Sequence, residues 1–220
     1  MTTRCRLDHI AITAPDLDRG VAYVSDILGV APAGGGEHPL MATHNRLLRL
    51  GDAAYLEVIA PNPAMVMASS LAARRRWFEL DEQTPATLPR LAAWVASSDD
   101  LRAATAGASE PLGEIEQLTR DGMRWEMIVP RDGGLVLGGA APLVIQWGSG
   151  GRTLTRLADT GCRLRRLELR HPDAPRVEAL LRSIGFDDDR VVVAALPAGA
   201  RPRLVADIDT PGGPRQLGAD

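Results

Sequence analysis

The 220-residue sequence predicts an α+β fold in which βαβββ modules repeat and curl into a half-open barrel, with a partial third βαββ unit. Three observations predict it. Short, apolar, β-prone runs alternate with single helical stretches. Each helix follows an acidic residue that can cap it. The same order of elements recurs along the chain.

The first module occupies residues 1–62. Leu7 to Thr13 is a strand broken by Ala14-Pro15-Asp16, and Asp16 can cap a helix in which Leu17, Val21, Val24 and Leu28 fall at helical spacing. Gly29 ends that helix. After the glycines at 34 to 36, a weak strand at Glu37 to Ala42 precedes two strands, Asn45 to Leu50 and Ala54 to Ile59, joined by the hairpin signal Gly51-Asp52. Residues 63–90 form a connection, with a helix expected over 64–80 and Arg74-Arg75-Arg76 on its solvated face. The second module, 91–148, repeats the order. Leu91 to Ala96 is a strand, Asp99-Asp100 caps a helix to about Ala106, Ile115 to Thr119 and Met123 to Val129 flank Asp121-Gly122, and Leu143 to Trp147 follows. The C-terminal unit, 163–210, reads Leu164 to Arg170, a helix over 175–184 ending at Gly185, then Val191 to Leu196 and Arg203 to Ile208. His171, before Pro172, is expected to face solvent. The three units are expected to form one compact domain.

Composition narrows the function. The net charge of −3 offers no basic field for nucleic acid or an anionic membrane. All 25 basic residues are arginine, which excludes a Schiff-base lysine and a P-loop lysine. No apolar run approaches the ~20 residues of a membrane span. The polar stretch Met1 to Asp8 does not read as a signal peptide, and Cys5 and Cys162 lack CxxC spacing. A cytoplasmic protein with reduced thiols is expected.

Strand alternation then selects residues for chemistry. In the first strand Ile10 and Ile12 should face the helix, with Leu7, His9, Ala11 and Thr13 on the other side. In the last strand of the module Tyr55, Glu57 and Ile59 share a face, so His9 and Glu57 should look into one concavity. His38, His44 and Asn45 lie near the same mouth. One imidazole and one carboxylate suit either part of a divalent metal site or an acid–base pair. Arg124 could grip a carboxylate from the second module, and Trp147 and Tyr55 could wall an apolar pocket. For each residue taken singly, a hydrogen-bonded histidine, a surface arginine or a core aromatic is the plainer reading.

The pieces Leu7-Asp8-His9-Ile10, Pro15-Asp16-Leu17, Gly36-Glu37-His38-Pro39, Thr43-His44-Asn45 and Tyr55-Leu56-Glu57 resemble the glyoxalase-like domain proteins of the vicinal oxygen chelate superfamily. Asp121 to Trp125 and Pro142 to Trp147 resemble that branch's second unit. The resemblance implies paired modules forming a cup, often with a divalent metal such as Zn, Mn, Fe or Ni. It implies activities ranging from lyase and epimerase chemistry to metal-free drug binding. It places His9 and Glu57 at metal-ligand positions, and the site expected around them has His9, Glu57 and His38 as catalytic residues and Thr43, Asn45, Tyr55, Arg124, Gln146 and Trp147 as substrate-binding residues. The second unit departs from the pattern, with Ala93 near the counterpart of His9 and Gln146 or Trp147 near that of Glu57. Arg166 and Asp207 stand near the counterparts in the third. Three readings follow: an enzyme acting on a small oxygenated molecule, a metal-free binder of such a molecule, or a structural module. The partner expected is a small molecule, and the sheet edges of an incomplete third unit suit a homodimer.

Overall fold

A computed structural model describes residues 4–65, 75–120, 122–148 and 151–218. The first module runs β1 (Cys5–Thr13), α1 (Leu17–Leu28), β2 (Glu37–His38), β3 (Thr43–Arg49) and β4 (Tyr55–Pro61). The second runs β5 (Arg90–Ser98), α2 (Leu101–Gly107), β6 (Glu114–Arg120), β7 (Met123–Val129) and β8 (Leu143–Trp147). The two merge into an eight-stranded sheet of order β2-β3-β4-β1-β5-β8-β7-β6, joined at the centre by the antiparallel pair β1–β5. The sheet curls until its ends nearly meet, giving the half-open barrel that the repeated pattern predicted. Among the described residues no helix is long and apolar enough to cross a membrane.

Local chemistry explains the helices. Asp16 accepts the backbone N–H of Arg19 at 2.8 Å, and Asp100 and Asp173 cap α2 and α3 in the same way. Gly29 takes the left-handed conformation that closes α1. Leu17, Val24 and Leu28 bury one stripe of α1 against Leu48, Leu56 and Val58 on the outer face of the sheet.

Two departures from the sequence reading stand out. The helix expected over 64–80 falls partly on 66–74, outside the described residues. Its described parts, 64–65 and 75–80, are not α-helical, and a single 3-10 turn forms at Leu80–Glu82. There Trp77, Phe78 and Leu80 turn inward and fill the floor of the cup beside Met41, Ile59, Ala93, Val95 and Ile145. An apolar cup floor needs large side chains to exclude water, and this connection supplies them.

The second departure is the C-terminal unit: β9 (Arg163–His171), α3 (Ala174–Ser183), β10 (Val191–Ala195), β11 (Arg203–Thr210) and a further strand, β12 (Gly213–Leu217). Pro214 hid β12 from the sequence reading, because proline marks a strand only where an edge leaves its missing N–H harmless. The order β10-β9-β11-β12 also differs from the other modules, since β10 pairs directly and in parallel with β9. The unit covers the outer side of the large sheet, where Leu164, Leu167, Leu169, Leu204 and Ile208 join one core with Ile10, Trp94 and Leu101. His171 is buried rather than solvated, its Nδ1 accepting the N–H of Asp173 at 2.9 Å. Cys5 and Cys162 are buried free thiols.

Gly20 marks a close approach of α1 to the sheet. A Cβ there would lie 2.5 Å from Val58 Cγ1 and 2.9 Å from the Ala14 Cβ. Gly20→Ala is therefore expected to destabilise the protein by about 1–3 kcal/mol, despite the better helix propensity of alanine. Thermal unfolding checks this, with a Tm lowered by roughly 2–12 °C expected and a raised Tm contradicting the close contact.

Candidate functional site

The cup holds a narrow, partly enclosed cleft of about 30 Å³. Four parts of the chain build it, the two modules, the connection between them and the linker before β9. β1 brings His9, β4 brings Tyr55 and Glu57, and the second module brings Arg120, Trp125, Met127, Ile145 and Trp147. Trp77 and Phe78 come from the connection, and Thr153 from the linker that precedes β9.

His9 stands here because of a bulge. The β1–β5 register shifts between Leu7, opposite Ala96, and His9, opposite Val95. Simple alternation put Leu7 on the same face as His9; instead Leu7 packs in the helix-side core, and Asp8 and His9 both turn to the cup side. Asp8 Oδ1 lies 2.8 Å from His9 Nδ1, and Glu57 Oε2 lies 3.5 Å from His9 Nε2. Tyr55 stacks on the ring at 4.5 Å between centroids. Burial alone would push the His9 pKa down, but the hydrogen bonds and charges of Asp8 and Glu57 outweigh it and lift the pKa to about 9. Burial likewise opposes ionisation of Glu57, yet His9 and the Asn45 amide hold its pKa at about 2. At neutral pH the pair is an imidazolium and a carboxylate, both almost fully buried.

Each carboxylate has further donors. Asn45 Nδ2 donates to Glu57 Oε1 at 2.5 Å. Asp8 Oδ2 accepts from Trp147 Nε1 at 2.9 Å and Arg152 Nη2 at 2.6 Å. Across the cup, Arg120 Nη1 lies 3.3 Å from His38 Nε2 and 3.3 Å from Asn45 Oδ1, and its Nη2 donates to Thr153 Oγ1 at 3.1 Å. A guanidinium cannot accept, so His38 Nε2 accepts and its Nδ1–H donates to Thr43 Oγ1, 3.1 Å away. This contact between β2 and β6 ties the two ends of the large sheet.

Of the residues singled out from the sequence, His9, Glu57, His38, Tyr55 and Trp147 line the cleft, while Thr43 and Asn45 sit behind it as hydrogen-bond partners of His38 and Glu57. Arg124 is not in the cup. It is exposed on the face of β7 opposite Trp125, and Arg120 on β6 takes the inward position instead. Gln146 also faces away, its Oε1 capping the Leu101 N–H at 3.0 Å. His44 lies on the outer side of β3, among the residues before α1. Asp8, Trp77, Phe78, Arg120, Trp125, Arg152 and Thr153 escaped the sequence reading. Only Arg120 had a signal there, since it follows the buried Leu118 at strand spacing.

The side chains present do not fit a resident divalent metal. Among the described residues only His9 Nε2 and Glu57 offer donors at one point, the counterpart strands contribute Ala93 and Trp147, and His38 Nε2 is engaged by a guanidinium. No three His, Cys, Asp or Glu side chains among the described residues are grouped so that they could hold a metal ion, since Asp8 meets the far nitrogen of His9. A divalent ion needs three or more such donors and no cation beside them.

A glyoxalase-like domain family model matches residues 7–185. No curated protein matches the chain. A hypothetical protein from Staphylococcus aureus shares its fold, with 14% identity, 97% of this chain and 84% of that chain covered, and a TM-score of 0.56. Methylmalonyl-CoA epimerase from Mycobacterium tuberculosis is similar over 64% of this chain and 85% of its own, at 22% identity and a TM-score of 0.38. The Streptomyces coelicolor methylmalonyl-CoA epimerase in complex with 2-nitronate-propionyl-CoA gives 18% identity, 66% and 98% coverage, and a TM-score of 0.42. The likeness to the staphylococcal protein concerns the fold alone, and the epimerase matches bear on no activity. With two βαβββ units closed into a cup and a family match over most of its length, the chain belongs to the glyoxalase-like domain family.

Proposed function

We propose that the chain takes up a small oxygenated molecule in this cup without a metal ion, with His9 as the charged donor that meets an oxygen of the ligand. The observation that carries this reading is the buried imidazolium held between Asp8 and Glu57 at the wall of an aromatic-lined cleft. A charge fixed in a low-dielectric wall polarises an oxygen more strongly than one in water. Trp77 supports the reading: it lines the cleft, and its buried indole N–H has no hydrogen-bond partner. Trp125 and Trp147, with ring centroids 5.7 Å apart, form an apolar wall for the rest of the molecule.

Catalysis is the second reading, favoured by the arrangement of the His9–Glu57 pair. An imidazolium with a pKa of about 9 can serve as a general acid toward a carbonyl oxygen. Glu57, held at a pKa of about 2, is a weak base as long as His9 stays charged beside it. That asymmetry favours binding and polarisation over proton abstraction. The divalent-metal reading has the least support from this donor set.

Three results are expected. A screen of small hydroxy and oxo compounds by thermal shift should yield ligands whose binding is flat from about pH 6 to 8. Binding should fall as pH rises through about 9, where the imidazolium is lost; binding that strengthens there would exclude His9 as the donor. The second expectation concerns substitution. His9→Ala leaves Glu57 buried without its cation and Asp8 with Arg152 alone, and should cost about 3–5 kcal/mol, so it reports on stability. Trp77→Phe, which trims the ring that lines the cleft, should weaken ligand binding and lower stability by about 1 kcal/mol, well short of the cost of His9→Ala. Finally, elemental analysis of the purified protein should find divalent metal far below one equivalent, with a chelator leaving Tm and ligand binding unchanged. Stoichiometric metal would overturn the metal-free reading.

A further inference from the structure

Asp8 is the most constrained side chain of the site, and the proposed uptake gives it no contact with a ligand. It is 2% exposed, and three partners from different parts of the chain hold its two oxygens. Oδ1 meets His9 Nδ1 at 2.8 Å within β1. Oδ2 accepts from Trp147 Nε1 on β8 and from Arg152 Nη2 in the linker before β9. Arg152 also donates to Ser97 Oγ on β5 at 3.1 Å. Its side chain is 43% exposed, so it reaches inward from the surface to a buried carboxylate.

The same linker carries other parts of the cup. Thr153 lines the cleft and accepts from Arg120, Leu154 packs with Tyr55 and Leu47, and the Leu157 carbonyl accepts from Arg49 Nη1 at 3.3 Å. The site is therefore completed by a segment that belongs to neither module.

We propose that Asp8 is the positioning residue of this site, orienting the His9 ring through Nδ1 so that Nε2 faces Glu57 and the cleft, and that Arg152 locks Asp8 in that orientation. This rests on the reading of His9 as the group that meets the ligand. The physical argument is one of divided labour. An imidazole bonded at one nitrogen can turn about its χ2, whereas one bonded at both has a single orientation. The carboxylate in turn must not rotate. Trp147 and Arg152 occupy Oδ2 together, which leaves Oδ1 for the ring. The β1 bulge makes this possible, because without it Asp8 would face the helix side.

The test is ring 1H–15N NMR of the full chain, free of ligand and at one fixed pH, with the His9 signals among the four histidines identified by their absence in His9→Gln. Wild type is expected to show a far-downfield, slowly exchanging His9 Nδ1–H. Asp8→Asn should abolish that signal. Arg152→Gln, a change at the surface that leaves the core intact, should speed its exchange by at least about tenfold, the scale of one charge-assisted hydrogen bond. Arg152→Lys should restore slow exchange. Tm is followed alongside, because a merely structural role would lower Tm and leave the ring signal in place. An unchanged His9 signal in Asp8→Asn overturns the proposal. Should that variant fail to fold, an unchanged signal in Arg152→Gln overturns it instead. No ligand is present, so a negative result leaves the uptake reading standing. If the His9 signal responds as expected while no compound in the screen binds, only the uptake reading falls.

Discussion

A charged imidazole buried between two carboxylates is the constraint around which the cup is arranged. Three ionised groups at the wall of a cleft would each be costly to desolvate, so each must find opposite charge and further hydrogen bonds. His9 supplies the cation for both Asp8 and Glu57. Asn45 completes Glu57, and Trp147 and Arg152 complete Asp8. The requirement reaches into β3, β8 and the linker before β9. Elements remote in sequence are thereby committed to one point in space, and a fault in any of them leaves a charge uncompensated.

Closure of the barrel depends on a second polar contact. The eight-stranded sheet would leave two open edges, β2 and β6, and two-residue β2 is too short to pair extensively. Arg120 and His38 join these ends through one hydrogen bond, with Thr43 fixing the histidine and Thr153 and Asn45 holding the guanidinium. Polar groups so placed give the mouth a defined shape that apolar packing alone would not specify. Beneath them the floor is apolar, filled by Trp77 and Phe78. Phe78 and Glu79 both take left-handed backbone conformations uncommon for side chains other than glycine. Such strain persists where packing over-determines the turn, and here it aims two aromatic rings into the cup.

The C-terminal unit gives the molecule a layer beyond two paired modules. Its sheet covers the outer face of the barrel, and Cys5 bridges to the end of α3 through hydrogen bonds with Gly185 and Asp187. With that outer face buried, β1 is packed on both sides, and the chain can tolerate a bulge in its central strand. The linker that leads to this unit then supplies Arg152 and Thr153 to the inner face. Support of the sheet and completion of the cleft thus come from the same part of the chain.

The periodicities of the sequence determined most of the fold. Strand and helix spacing, aspartate caps and Gly29 located α1 to α3 and most strands, because those features depend on residues within a turn or two of each other. Parity along β4 also placed Tyr55 and Glu57 on one face correctly. Tertiary structure decided what parity could not. A bulge of one residue at Asp8 reversed the face of Leu7 and turned two adjacent side chains inward, and β7 exposed Arg124 while β6 buried Arg120. The Trp77 plug, edge strand β12 and the linker residues Arg152 and Thr153 carry no periodic signal, since their positions are set by what the cup and the buried carboxylates require of distant segments. Local spacing encodes which way a regular strand faces. Only the assembled sheet decides where regularity breaks and which remote group arrives to satisfy the charge left there.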